Sequence, residues 1–71
     1  MTFVICVDNE GYEASLELRK IYQVLPPEAS DPKDYVRVVD ESGADYLYHK
    51  KGFELIELPH RTERKLLATL R

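Results

Sequence analysis

The apolar residues of this chain come in five short runs, none longer than six residues, and each run ends in turn-forming residues or proline. Phe3 to Val7 stops at Asp8-Asn9-Glu10-Gly11, and Ile21 to Leu25 stops at Pro26-Pro27. Tyr35 to Val39 runs into Asp40-Glu41-Ser42-Gly43. Tyr46 to Tyr48 is followed by the break Lys50-Lys51-Gly52, and Phe53 to Leu58 ends at Pro59. Runs of this length suit strands, and proline cannot donate to a strand ladder. In the third run Val36 and Val38 fall on one face and Tyr35 and Arg37 on the other. The glycine of the Asp40–Gly43 segment suits a tight hairpin turn. Leu16 and Leu18 alternate with Glu17, as in a half-exposed strand edge or a diverging turn.

Only the last residues depart from this pattern. Thr62 is placed to cap a helix whose leucines, Leu66, Leu67 and Leu70, share one face. A helix this short is marginal in water, so these leucines are expected to dock on the chain's own body, a partner or a second copy. The prediction is an all-β domain over residues 1–59, a small five-stranded barrel, followed by a basic amphipathic helix or tail over residues 60–71. Closure into a barrel would remove exposed strand edges. With 71 residues the chain can hide about 60% of its unfolded surface, enough for one small core and little more.

Charge is unevenly spread over a net −3. Residues 8–17 hold Asp8, Glu10, Glu13 and Glu17 and no basic residue. The final twelve residues carry Arg61, Arg64, Lys65 and Arg71 against Glu63 alone. An acidic body repels phosphate backbones, which disfavours nucleic acid as a ligand. The alternative, a single-stranded RNA binder, draws on Lys50-Lys51 beside Tyr46 and Tyr48, since stacking aromatics among lysines suit single strands. No apolar run approaches a membrane span, and Phe3–Val7 is short for a signal-peptide core. A single cysteine makes no intrachain disulfide, which points to a reducing cytoplasm. Cys6, His49 and His60 do not form a thiolate zinc set, and nothing calls for a cofactor. Cys6 sits in an apolar run without a neighbouring base, so it reads as a small buried hydrophobe rather than a nucleophile. A non-enzymatic protein is expected.

The order and spacing of the segments over residues 3–58 resemble the Src homology 3 family of barrels. Ala14-Ser15-Leu16-Glu17 and Ile21-Tyr22-Gln23-Val24-Leu25 stand for the family's diverging turn and second strand. Tyr35-Val36-Arg37-Val38, Glu41-Ser42-Gly43 and the run Tyr46 to Leu55 stand for its later part. The chain is also similar to small stand-alone bacterial proteins of this barrel type. The resemblance implies a non-catalytic protein-interaction module or accessory subunit. Tyr35 stands where the family has its groove tryptophan, and Asp8, Glu10 and Glu13 stand for its acidic loop. The opening tyrosines correspond to Cys6 and Asp8, the groove proline to His49 and the last groove tyrosine to Gly52, so most of a proline-peptide groove is missing. The expected binding residues are Tyr12, Tyr35 and Tyr46 with Asp8, Glu10 and Glu13. Tyr35 and Tyr46 are expected to line one exposed patch near Tyr12. The partner is an unidentified protein and the chain a monomer or weak homo-oligomer.

Overall fold

A computed structural model describes residues 2–69. Five strands form: β1 (Thr2–Cys6), β2 (Ile21–Leu25), β3 (Tyr35–Val39), β4 (Asp45–His49) and β5 (Phe53–Ile56). One helix, α1 (His60–Thr69), follows. The strands make a single antiparallel sheet in the order β4-β3-β2-β1-β5. Among the described residues, no helix is long and apolar enough to cross a membrane.

The register sorts the side chains onto two faces. Val4 lies opposite Tyr22 and Leu55, Cys6 opposite Phe53, Val24 opposite Val38, and Val36 opposite Tyr48. Paired residues share a face, so all of these point inward. Val4, Cys6, Tyr22, Val38, Tyr48 and Phe53 form one cluster with Leu16. That cluster draws on every strand, so the sheet curls around a single core.

The curled sheet is not closed. β4 and β5 are its two ends, although only the short 3-10 turn Lys50–Gly52 separates them. Gly52 marks the seam between β5 and the first loop. Its carbonyl accepts hydrogen bonds from both Val7 N–H (2.9 Å) and Asp8 N–H (3.2 Å), which commits β5 to β1. A Cβ on Gly52 would stand 2.8 Å from the Asp8 carbonyl oxygen, so the approach depends on glycine. One mouth of the curl is left apolar and open, and Leu55, an inward-face residue by register, is 68% exposed there.

The hairpin between β3 and β4 closes as expected at Asp40–Gly43. Gly43 N–H bonds to Asp40 C=O (3.0 Å), Gly43 takes φ +83°, and Asp40 N–H bonds to Ala44 C=O (3.1 Å). This is a tight turn followed by a glycine in the left-handed region.

The helix starts earlier than expected. Thr62 is not its cap; it lies inside α1. The first helical hydrogen bond runs from Glu63 N–H to Pro59 C=O (2.9 Å), so the backbone carbonyl of the proline that ends the strand region opens the helix. On the outer face, Phe3 is buried, and it shares a cleft with Ile21, Leu66 and Thr69. α1 therefore lies against the outer side of β1 and β2, with Leu66 and Leu67 half-buried. Leu70 lies outside the described residues.

Candidate binding face

The acidic segment is a built loop. Asp8 Oδ1 accepts the Glu10 N–H (3.0 Å), a local turn that short carboxylates favour. Gly11 then takes φ +85°, and Tyr12 N–H bonds to Asn9 C=O (2.8 Å). The Asn9 side chain crosses the loop to Leu16 C=O (2.9 Å), and Ser15 and Leu16 N–H both bond to Tyr12 C=O at 2.9 Å. Leu16 is almost wholly buried and anchors the loop in the core. The outgoing arm returns to the sheet at Arg19, whose N–H bonds to Cys6 C=O (2.7 Å) at φ +65°.

Tyr22 clasps this loop to the β3–β4 turn. Its hydroxyl accepts the Glu17 N–H (2.7 Å) and donates to the Glu41 carboxylate. Lys20 Nζ donates to the same carboxylate (2.8 Å), and Glu41 N–H bonds to Ser15 C=O (3.0 Å). The bonds from Lys20 and Tyr22 hold the Glu41 carboxyl below its ordinary range. Burial, together with the bond to Glu41, pushes the Tyr22 phenol up.

Asp40 is the buried carboxylate of the site, 6% exposed. Tyr48 Oη donates to its Oδ2 (2.6 Å), while Ser42 gives Oδ1 both its hydroxyl (2.6 Å) and its N–H (2.9 Å). Burial acts to raise the Asp40 carboxyl, but the bonds from Ser42 and Tyr48 outweigh it and the net direction is down. Burial and the bond to Asp40 push the Tyr48 phenol up to about 12. Above Tyr48 lies the Tyr12 ring, edge to face at 5.0 Å, and Tyr48 in turn packs against Phe53 at 6.1 Å.

Between the acidic loop and β4 runs a cleft of about 400 Å³. Tyr12 and Tyr46 flank it, 52% and 54% exposed, and Ser15, Ser42 and the Asp40–Tyr48 pair floor it. Two of the three expected tyrosines therefore meet. Tyr35 does not join them. Tyr46 lies opposite inward-facing Val38, whereas Tyr35 lies opposite His49 on the outer face, with the two rings 5.2 Å apart. A period of two makes this unavoidable, because 35 and 46 fall on opposite sides of a ladder that pairs 35 with 49 and 38 with 46. Glu10 and Glu13 are exposed on either side of Tyr12, and exposed Asp8 sits at the loop's base beside Gly52.

Several residues of this region carry no signal in a linear pattern. Asp40, Ser42, Glu41 and Lys20 read as turn or surface residues, and only the Asp-x-Ser-Gly order hints at a side chain folding back on its own turn. Arg37 was legible as an outer-face residue but not as a clamp. Its guanidinium takes both Asp31 oxygens (2.8 and 2.7 Å) and one of Asp45 (3.1 Å), pinning the proline loop 26–34 to β3. The bond from Arg37 holds the Asp31 carboxyl low.

The remaining candidates are occupied locally. Cys6 is fully buried, its Sγ points to Asp8 C=O (3.8 Å), and burial pushes the thiol up. His49 Nδ1 accepts the Lys51 N–H (3.1 Å), and Lys50 pairs with Asp34 (3.4 Å). No family model, curated protein or solved structure matches the chain.

Proposed function

We propose that this chain is a non-catalytic protein-interaction module of the reducing cytoplasm, built on a Src homology 3-like layout. The layout rests on the strand order, in which β1 to β4 follow one another across the sheet and β5 returns to the far side of β1, on the 3-10 turn before the last strand and on the loop between the first two strands. One observation carries the functional reading: two half-exposed tyrosines flank a cleft whose floor is already hydrogen-bonded, next to a loop bearing four carboxylates. Tyrosine offers large amphipathic area at low entropic cost, which suits recognition. The partner is a protein that meets the Tyr12–Tyr46 face.

The test is site-specific photo-crosslinking in cells. A photoreactive phenylalanine analogue replaces Tyr46 in one variant of the full chain and Glu54, on the outer face of β5, in another. The reading expects a discrete protein adduct from position 46 and none from position 54. Absence of any adduct from position 46, in a variant that melts like the parent, sinks it.

A further inference from the structure

The two ends of the open sheet are not equivalent, and the β4 end belongs to the cleft. In an antiparallel pair, alternate residues point their N–H and C=O groups at the partner strand and the rest point them away. Lys50 N–H bonds to Asp34 C=O (2.9 Å), and Asp40 N–H to Ala44 C=O (3.1 Å), which extends the β3–β4 ladder at both ends. The hydrogen-bonded set is therefore 44, 46, 48 and 50. The backbone groups of Asp45, Leu47 and His49 face outward from the sheet. Among the described residues, no other element hydrogen-bonds to that backbone edge. Leu47, whose N–H and C=O belong to that edge, is also one of the residues lining the Tyr12–Tyr46 cleft, which sets the edge and the cleft side by side.

Charge says what fits there. The cleft lining contains no basic residue, its one carboxylate is Asp40, and Glu10 and Glu13 stand exposed beside Tyr12. An extended segment laid along β4 would turn every second side chain toward the Tyr12 and Tyr46 rings and the Asp40 carboxylate, within the field of the acidic loop. Arginine or lysine at those positions meets an aromatic face and a negative field together.

We infer that the free edge of β4 takes up an extended, basic segment of a partner protein as a sixth strand, its alternate cationic side chains entering the cleft between Tyr12 and Tyr46. Main-chain hydrogen bonds to Leu47 and His49 supply the affinity, and the cleft supplies the selection. This rests on the recognition face proposed above and adds the manner in which that face is used.

The probe is a capped eight-residue peptide of alternating arginine and valine, titrated into the full chain and followed by amide resonances and hydrogen exchange. Its glutamate–valine counterpart is the charge control. Two further versions carry N-methyl groups on the arginines only or on the valines only. Strand addition expects binding of the arginine peptide alone, with exchange at the Leu47 and His49 amides slowed about tenfold or more. It also expects one methylated version to lose about tenfold in affinity while the other keeps it, because only alternate amides face β4. Equal behaviour of the two methylated peptides, with binding still lost in Tyr12→Ala and Tyr46→Ala, overturns strand addition and leaves the recognition face standing. No binding of the arginine peptide at millimolar concentration overturns the inference, while the cross-linking result judges the face independently.

Discussion

The Tyr48 hydroxyl sits 2.6 Å from Oδ2 of Asp40, so the floor of the cleft is a phenol donating to a carboxylate that water hardly reaches. Removing the donor leaves that carboxylate short of a partner in a site where burial already opposes its charge. Tyr48→Phe should therefore cost about 1–3 kcal/mol, measured by urea unfolding, with the slope against urea unchanged.

The same pair sets a pH response at each extreme. Asp40 and Glu41 are held low in the fold, so the stability they contribute is complete above the ordinary carboxylate range and drains away as pH falls through about 4 and below. Tyr48 is raised to about 12 from an ordinary 10.0, so its contribution is complete below pH 10 and is lost as pH climbs from about 10 to about 12. Thermal melts across pH 2–12 should show both shoulders. In Tyr48→Phe the alkaline shoulder should shrink, leaving the part owed to Tyr22. An unchanged alkaline shoulder would show that Tyr48 ionises as freely folded as unfolded.

Gly52 is where β5 and the acidic loop meet, and there is no room for a methyl group. Gly52→Ala must displace the Asp8 carbonyl, a backbone atom, and a strained close contact of this kind costs about 1–3 kcal/mol. The displacement should be visible as shifted amide resonances at Val7 and Asp8, whose N–H groups bond to Gly52. Resonances that stay in place would mean the approach is looser than its geometry.

Helix α1 depends on its dock. Leu66→Ala should cost about 1–2 kcal/mol by loss of half-buried apolar area against Phe3 and Ile21, and Phe3 should become accessible to solvent. Circular dichroism should show helix loss at temperatures where the sheet signal persists. A helix signal that melts only with the sheet, at the parent temperature, would show that Leu66 does not hold it.

Arg37→Lys keeps the charge and removes the planar fork that grips both oxygens of Asp31. The 26–34 loop should then be cut faster by proteases while the melting temperature falls only slightly. Cutting at the parent rate would assign the loop's order to its prolines instead.

How much of this was readable in advance follows from the range of the interactions. The five strands, the Asp40–Gly43 turn and the outward direction of Tyr35 depend on neighbours within a few residues, and alternation with turn chemistry marks them well. The open sheet was not readable. It turns on whether the edges of β4 and β5 pair across the Lys50–Gly52 turn, and a linear pattern marks strands without recording which edges meet. The grouping of the tyrosines failed for a related reason: Tyr46 and Tyr35 are both exposed aromatics, but only the register between β3 and β4 separates their faces. The helix start also moved: Pro59 C=O accepts the first helical hydrogen bond, so Thr62 falls inside the first turn, where its side chain is not in the capping position. The Tyr22–Glu41 and Arg37–Asp31 pairs span loops whose paths a linear pattern does not hold.

Tyr22 binding Glu17 and Glu41 with one oxygen has a kinetic consequence. The loop and turn that border the cleft are locked together before any visitor arrives, so little chain ordering is left for the moment of contact. Association should then be governed by collision and charge steering, and added salt should slow arrival far more than it hastens departure.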